Sequence, residues 1–132
     1  MSNVHKADQK EAETQFLMTA RKLEMYTIER CTHQIPKRYT FYIGTHLADS
    51  AHAIYANVKK GNSIYPKNRH EVQMRRDYFL KAYTEAHNLV SQVEVAYEAI
   101  RFDTHYLNDW SALIADEISL IKGLPDTCVY RR

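Results

Sequence analysis

Glycine and proline are scarce in this chain of 132 residues, with three of each, and all but Gly44 fall at its seams. Pro36 and Gly44 lie close together, Gly61 and Pro66 bracket a short stretch, and Gly123 and Pro125 come near the end. Long runs without a breaker favour helices over a turn-rich β fold. The segments between these seams also carry the helical period.

The first helix is expected over about residues 10–33, with Phe16, Leu17, Ala20, Leu23, Thr27, Ile28 and Cys31 on one face. The second is expected over 36–60, opened by Pro36 and stopped by Gly61. Its stripe is Ile43, Leu47, Ala51, Ile54, Tyr55 and Val58, and Gly44 is read as the point of close packing. Asn68 with Glu71 three residues on has the form of a capping box, so a third helix is expected over 69–101. It would bury Val72, Phe79, Ala82, Tyr83, Ala86, Leu89, Val90, Val93, Ala96 and Ile100. Asp103 caps a fourth helix over 104–122 bearing Leu107, Trp110, Ile114, Ile118 and Ile121, and 123–132 reads as a loose tail. Four amphipathic helices with short connections predict a single all-α domain, an antiparallel up-down-up-down four-helix bundle.

Metal and catalytic chemistry find little purchase. No glutamate has a histidine three positions later, the pattern of di-iron bundles. His46, Asp49 and His52 are suggestive in spacing, but on a helix the two histidines diverge by about 120° on the polar side. Cys31 lies on an apolar face, where a thiol behaves as a small hydrophobe, and Cys128 falls in the tail. There is no phosphate-binding glycine loop. The expectation is a protein without catalytic residues, metal or cofactor. The first residues lack the apolar core of a signal peptide, and no apolar run is of membrane-spanning length. Two cysteines do not make a disulfide framework, so a cytoplasmic location is expected.

Charge is nearly balanced, 18 Lys and Arg against 16 Asp and Glu, so any basic surface must be local. Lys37 and Arg38 begin the second helix, and Lys59 and Lys60 end it. Lys67, Arg69, Arg75 and Arg76 gather at the start of the third. In an antiparallel pair the end of helix two lies beside the start of helix three, which groups most of these cations at one end, with Tyr65 among them as a stacking ring. Lys37 and Arg38 fall at the other end, near Arg101. Cations at a helix start oppose its dipole and point modestly to function. Three charges break the apolar pattern: Glu24, Arg75 and Glu117. A buried charge needs a partner, so an ion pair of Arg75 with Glu24 or Glu117 is expected, or a polar pocket or subunit interface at that place. Tyr42 and Tyr78 lie off the stripes and Leu113 and Leu120 at their margin, which suits a second buried surface in an oligomer. The aromatics of IPKRYTFYIG are expected to pack against neighbouring helices or subunits rather than bases.

The stretch IPKRYTFYIGTHLADSAHAIYANV resembles the second-helix signature of a family of four-helix bundles. These are the proteins related to the accessory variability determinant of diversity-generating retroelements and to those encoded in intervening sequences of ribosomal RNA genes. RRDYFLKAYTEAHNLVSQVEVAYE resembles the family's third helix, and Trp110 with the apolar run behind it resembles the fourth. The resemblance covers about residues 14–124. It implies a ring-shaped homopentamer that partners a reverse transcriptase, binds template RNA or complementary DNA through positive charge and has no catalysis of its own. Its basic positions correspond to Lys37, Arg38, Arg75 and Arg76 here. The competing reading is a structural bundle whose partners are proteins alone.

Overall fold

A computed structural model describes residues 2–129, with side chains from Thr14 onward. It is all-helical among the described residues. Helix α1 is Ser2–His33, α2 Thr45–Asn62, α3 Arg69–Ile100 and α4 Thr104–Ile121. Residues 130–132 of the expected tail lie outside the described residues.

Cross-helix pairs fix the topology. Thr27 meets Trp110 and Tyr26 meets the Tyr106 carbonyl, while Cys31 reaches the Gly44 carbonyl and Glu24 reaches His52. As numbers fall along α1 they rise along α2, and Ser50 facing Asn88 with Gly61 against Phe79 continues the alternation to α3. The four helices close into an antiparallel up-down-up-down bundle in which α1 also packs on α4. No described helix is long and apolar enough to cross a membrane.

The expected stripes form the core. Ala20 and Leu23 of α1, Leu47, Ala51, Ile54 and Val58 of α2, Phe79, Ala82, Ala86 and Leu89 of α3, and Trp110, Ile114 and Ile121 of α4 have no exposed surface. Phe16 packs edge-on against Phe79 at 5.9 Å between ring centres. Ile28 departs from its expected place and is 45% exposed, because it sits at the edge of the α1 stripe facing out between α1 and α2. Phe102, in the α3–α4 connection, joins the core instead.

Four boundaries differ from expectation, each for a local reason. Helix α1 starts at Ser2 rather than near residue 10, through a stretch of Ala, Glu, Gln and Lys that favours helix. The second helix does not run straight from Pro36. Pro36 is extended (ψ 149°), Lys37–Tyr39 is a 3₁₀ turn, and Thr40–Gly44 is a π turn closed by the Thr45 N–H on the Thr40 carbonyl. Helix α2 continues through Gly61 to Asn62, so Gly61 is not a stop. A Cβ there would stand 2.8 Å from the Phe79 ring, whereas one on Gly44 would meet nothing closer than 3.7 Å. The close-packing glycine is Gly61, not Gly44. Finally, Pro125–Thr127 makes a 3₁₀ turn against α3, burying Pro125 and Cys128, so the described part of the tail is not loose.

Both caps read from the sequence are present. Asn68 Oδ1 accepts from the Glu71 N–H at 2.9 Å, and Asp103 Oδ1 accepts from the His105 N–H at 3.0 Å. That bond, with the His105 ring beside it, holds the Asp103 carboxyl below its usual range.

Candidate functional site

The α2–α3 hairpin gathers the basic residues because an antiparallel pair must place its connection at one end. From Lys59 to Lys81 the chain carries seven Lys or Arg against two acids, Glu71 and Asp77. Both acids are engaged locally: Glu71 Oε1 accepts from the Lys67 N–H at 3.2 Å, and Asp77 Oδ1 accepts from Gln73 at 2.8 Å. Among the described residues, none of the seven cations is in an ion pair.

Lys59, Lys60, Lys67 and Arg69 are exposed and Arg76 is half-buried. The Lys59 ammonium lies 5.9 Å from the Tyr55 ring centre, and Lys60 and Lys81 flank the Tyr78 ring at 5.9 and 5.7 Å. Lys81 was not among the expected site residues. Its signal is its place three residues after Tyr78, a spacing that shares a helix face. The cluster is a surface of positive charge without ion-pair partners, interleaved with tyrosine.

Arg75 does something else as well. Its Nη1 donates to the Ile64 carbonyl at 2.8 Å, and its guanidinium lies 5.3 Å from the buried Phe79 ring. The expected ion pair of Arg75 with Glu24 or Glu117 is not formed. Glu24 Oε1 instead meets His52 Nδ1 at 3.0 Å, which also takes His52 away from His46 and Asp49. Glu117 is fully buried with neither carboxyl oxygen hydrogen-bonded, and burial pushes its carboxyl up to about 8. The register explains the difference: Arg75 stands at the hairpin end and turns toward the connection, while Glu117 lies deeper in the core.

Lys37 and Arg38 are exposed at the opposite pole, separated from the hairpin cluster by the length of α2, about 27 Å. The Arg38 guanidinium lies 5.0 Å from the Tyr39 ring. Phe41 and Tyr42 are 78% and 72% exposed and touch each other edge-on at 5.5 Å. These two rings therefore do not pack against helices of their own chain. Tyr42 and Val95 border a mainly apolar pocket of about 200 Å³ with Ile43, His46, Leu47 and Gln92. The Cys31 thiol, raised by burial to about 11, donates to the Gly44 carbonyl at 3.6 Å and is held as an inert thiol. No group of three or more His, Cys, Asp or Glu among the described residues is placed to hold a metal ion.

Comparison with known protein families, with curated proteins and with solved structures finds no match to this chain.

Proposed function

We propose that this protein is a non-catalytic accessory subunit that binds nucleic acid through the hairpin pole of the bundle. The observation that carries the reading is the unpaired cation cluster of Lys59, Lys60, Lys67, Arg69, Arg76 and Lys81. Phosphates would take the place of the missing carboxylates. In this reading the chain works in the cytoplasm with a reverse transcriptase, on template RNA or complementary DNA, in the manner the family resemblance implies. Lys37 and Arg38 form a lesser contact at the far pole, and the chain assembles as a homo-oligomer of five subunits.

Salt tests it directly. Labelled RNA titrated with the full chain should be retained at low salt, with affinity falling steeply as salt rises. Charge reversal of Lys59, Lys60 and Lys67 together should flatten that dependence, each lost contact reducing the slope by about 0.7–0.9. Absence of binding at low salt would reject the reading. The second reading, a bundle that binds proteins alone, draws support from the exposed Met18, Met25, Phe41, Tyr42 and Val95. Light scattering at micromolar concentration separates the oligomer from a monomer.

A further inference from the structure

We propose that Tyr65 is a stacking platform for an unpaired base, so that the basic pole takes single-stranded nucleic acid in preference to a duplex. The inference rests on the nucleic-acid reading above and names the form of the ligand.

Tyr65 is 81% exposed, and no cation or second ring lies against it among the described residues. The other two described tyrosines of this pole, Tyr55 and Tyr78, are half-buried with lysine ammoniums near their rings. Among the described tyrosines of this pole, Tyr65 alone offers an open aromatic face beside the cations.

The connection that carries it is held on both sides. Before it, the Ile64 carbonyl accepts from Arg75 Nη1 at 2.8 Å and the Ile64 N–H donates to the Gly61 carbonyl at 3.3 Å. After it, Pro66 restricts the Tyr65 backbone to extended conformations. The Lys67 N–H is then tied to Glu71, whose own N–H is held by the Asn68 side chain. Arg75 is itself braced against Phe79 at 5.3 Å. A large ring is thus kept in water by a backbone that loses little freedom on binding, which is what preorganisation requires.

The chemistry selects the ligand. Phosphates of either a single strand or a duplex satisfy the lysines and arginines, but only an unpaired base has a free face for Tyr65. Base–aromatic stacking tolerates any sequence, because every base presents such a face.

The test uses the full chain with fluorescently labelled oligouridine of about 20 nucleotides and a duplex of equal length, at about 50 mM salt. Wild type should bind the single strand more tightly. Tyr65→Ala should weaken that binding by about 5- to 150-fold while leaving duplex binding and the salt slope unchanged. Tyr65→Phe, which keeps the ring, should bind as wild type does. Equal affinity for the two probes, or single-strand binding unmoved by Tyr65→Ala, would overturn the inference while the nucleic-acid reading stood. Retention of neither probe by wild type would overturn that reading first, and the inference with it. Since Tyr65 lies in water, an unchanged helical spectrum and melting point of Tyr65→Ala will separate loss of stacking from loss of fold.

Discussion

Trp110 and Glu117 stand two turns apart on the same face of α4, both without exposed surface, and they solve polar burial in opposite ways. The Trp110 Nε1–H donates to Thr27 Oγ1 at 3.0 Å, a buried bond between complementary groups. Glu117 has no hydrogen-bond partner for either oxygen, and burial raises its carboxyl from 4.5 to about 8. One level of the core is stabilised by pairing. The other is tolerated by keeping a proton.

That difference makes the largest prediction a pH dependence. Because the folded value lies above the unfolded one, Glu117 carries no ionisation penalty below about pH 4.5, and stability is lost as pH rises from there through about 8. At about 1.4 kcal/mol per unit of pH, the loss across that window is on the order of 5 kcal/mol at most. Urea unfolding of wild type and Glu117→Gln from pH 5 to pH 9 should show wild type weakening with pH while the variant's profile is flatter by about 4 kcal/mol, the part of that loss that falls above pH 5. Parallel profiles would mean that Glu117 does not hold its proton in the bundle. Glu117→Leu should stabilise the protein at every pH in the window, most at its alkaline end.

At the Trp110 level the expected effect is smaller and independent of pH. Thr27→Val keeps the shape but leaves the indole N–H without its acceptor, at a cost of about 1–3 kcal/mol. Thr27→Ser restores the acceptor at the price of a methyl and should recover part of the loss. A valine variant as stable as wild type would show that the buried bond contributes only shape.

The contrast also marks what was legible in the sequence. The four helices, both caps and nearly all core positions follow from period and punctuation, which are local properties. Ile28 is an exception because a residue at a stripe's edge is buried or exposed according to how its neighbours are rotated. Partners of charged residues depend on inter-helix register, which no single helix encodes. Hence Glu24 meets His52 and Arg75 turns to the Ile64 carbonyl, where an ion pair with Arg75 was expected. The π turn at Thr40–Gly44 was equally hidden. It adds a residue to the turn and leaves Phe41 and Tyr42 in water while Ile43 remains half-buried. The basic pole was legible because an antiparallel hairpin places Lys59 and Arg69 together whatever its exact register.

The glycines give a third prediction, of the same order as Thr27→Val. In Gly61→Ala the new methyl would press on the fully buried Phe79 ring, and about 1–3 kcal/mol should be lost. Gly44→Ala has space and an ordinary helical backbone (φ −57°), so it should be neutral or stabilising by about 0.4–1 kcal/mol. Equal melting points for the two variants would remove the distinction between the sites.

The smallest effect is expected at Glu24, the other glutamate on an apolar face. Its carboxylate is half-buried, and its partner His52 is mostly in water, so the pair is screened by solvent even at 3.0 Å. His52→Ala should therefore cost no more than about 1 kcal/mol, and less in high salt. Glu24 can turn its oxygens to water when the imidazole is removed, an escape that Glu117 lacks. A loss from His52→Ala as large as the Glu117 effect, and insensitive to salt, would place Glu24 among the buried charges and erase the contrast between the two glutamates. The expected small loss would instead show that depth in the core, rather than membership of an apolar stripe, decides what a carboxylate costs this bundle.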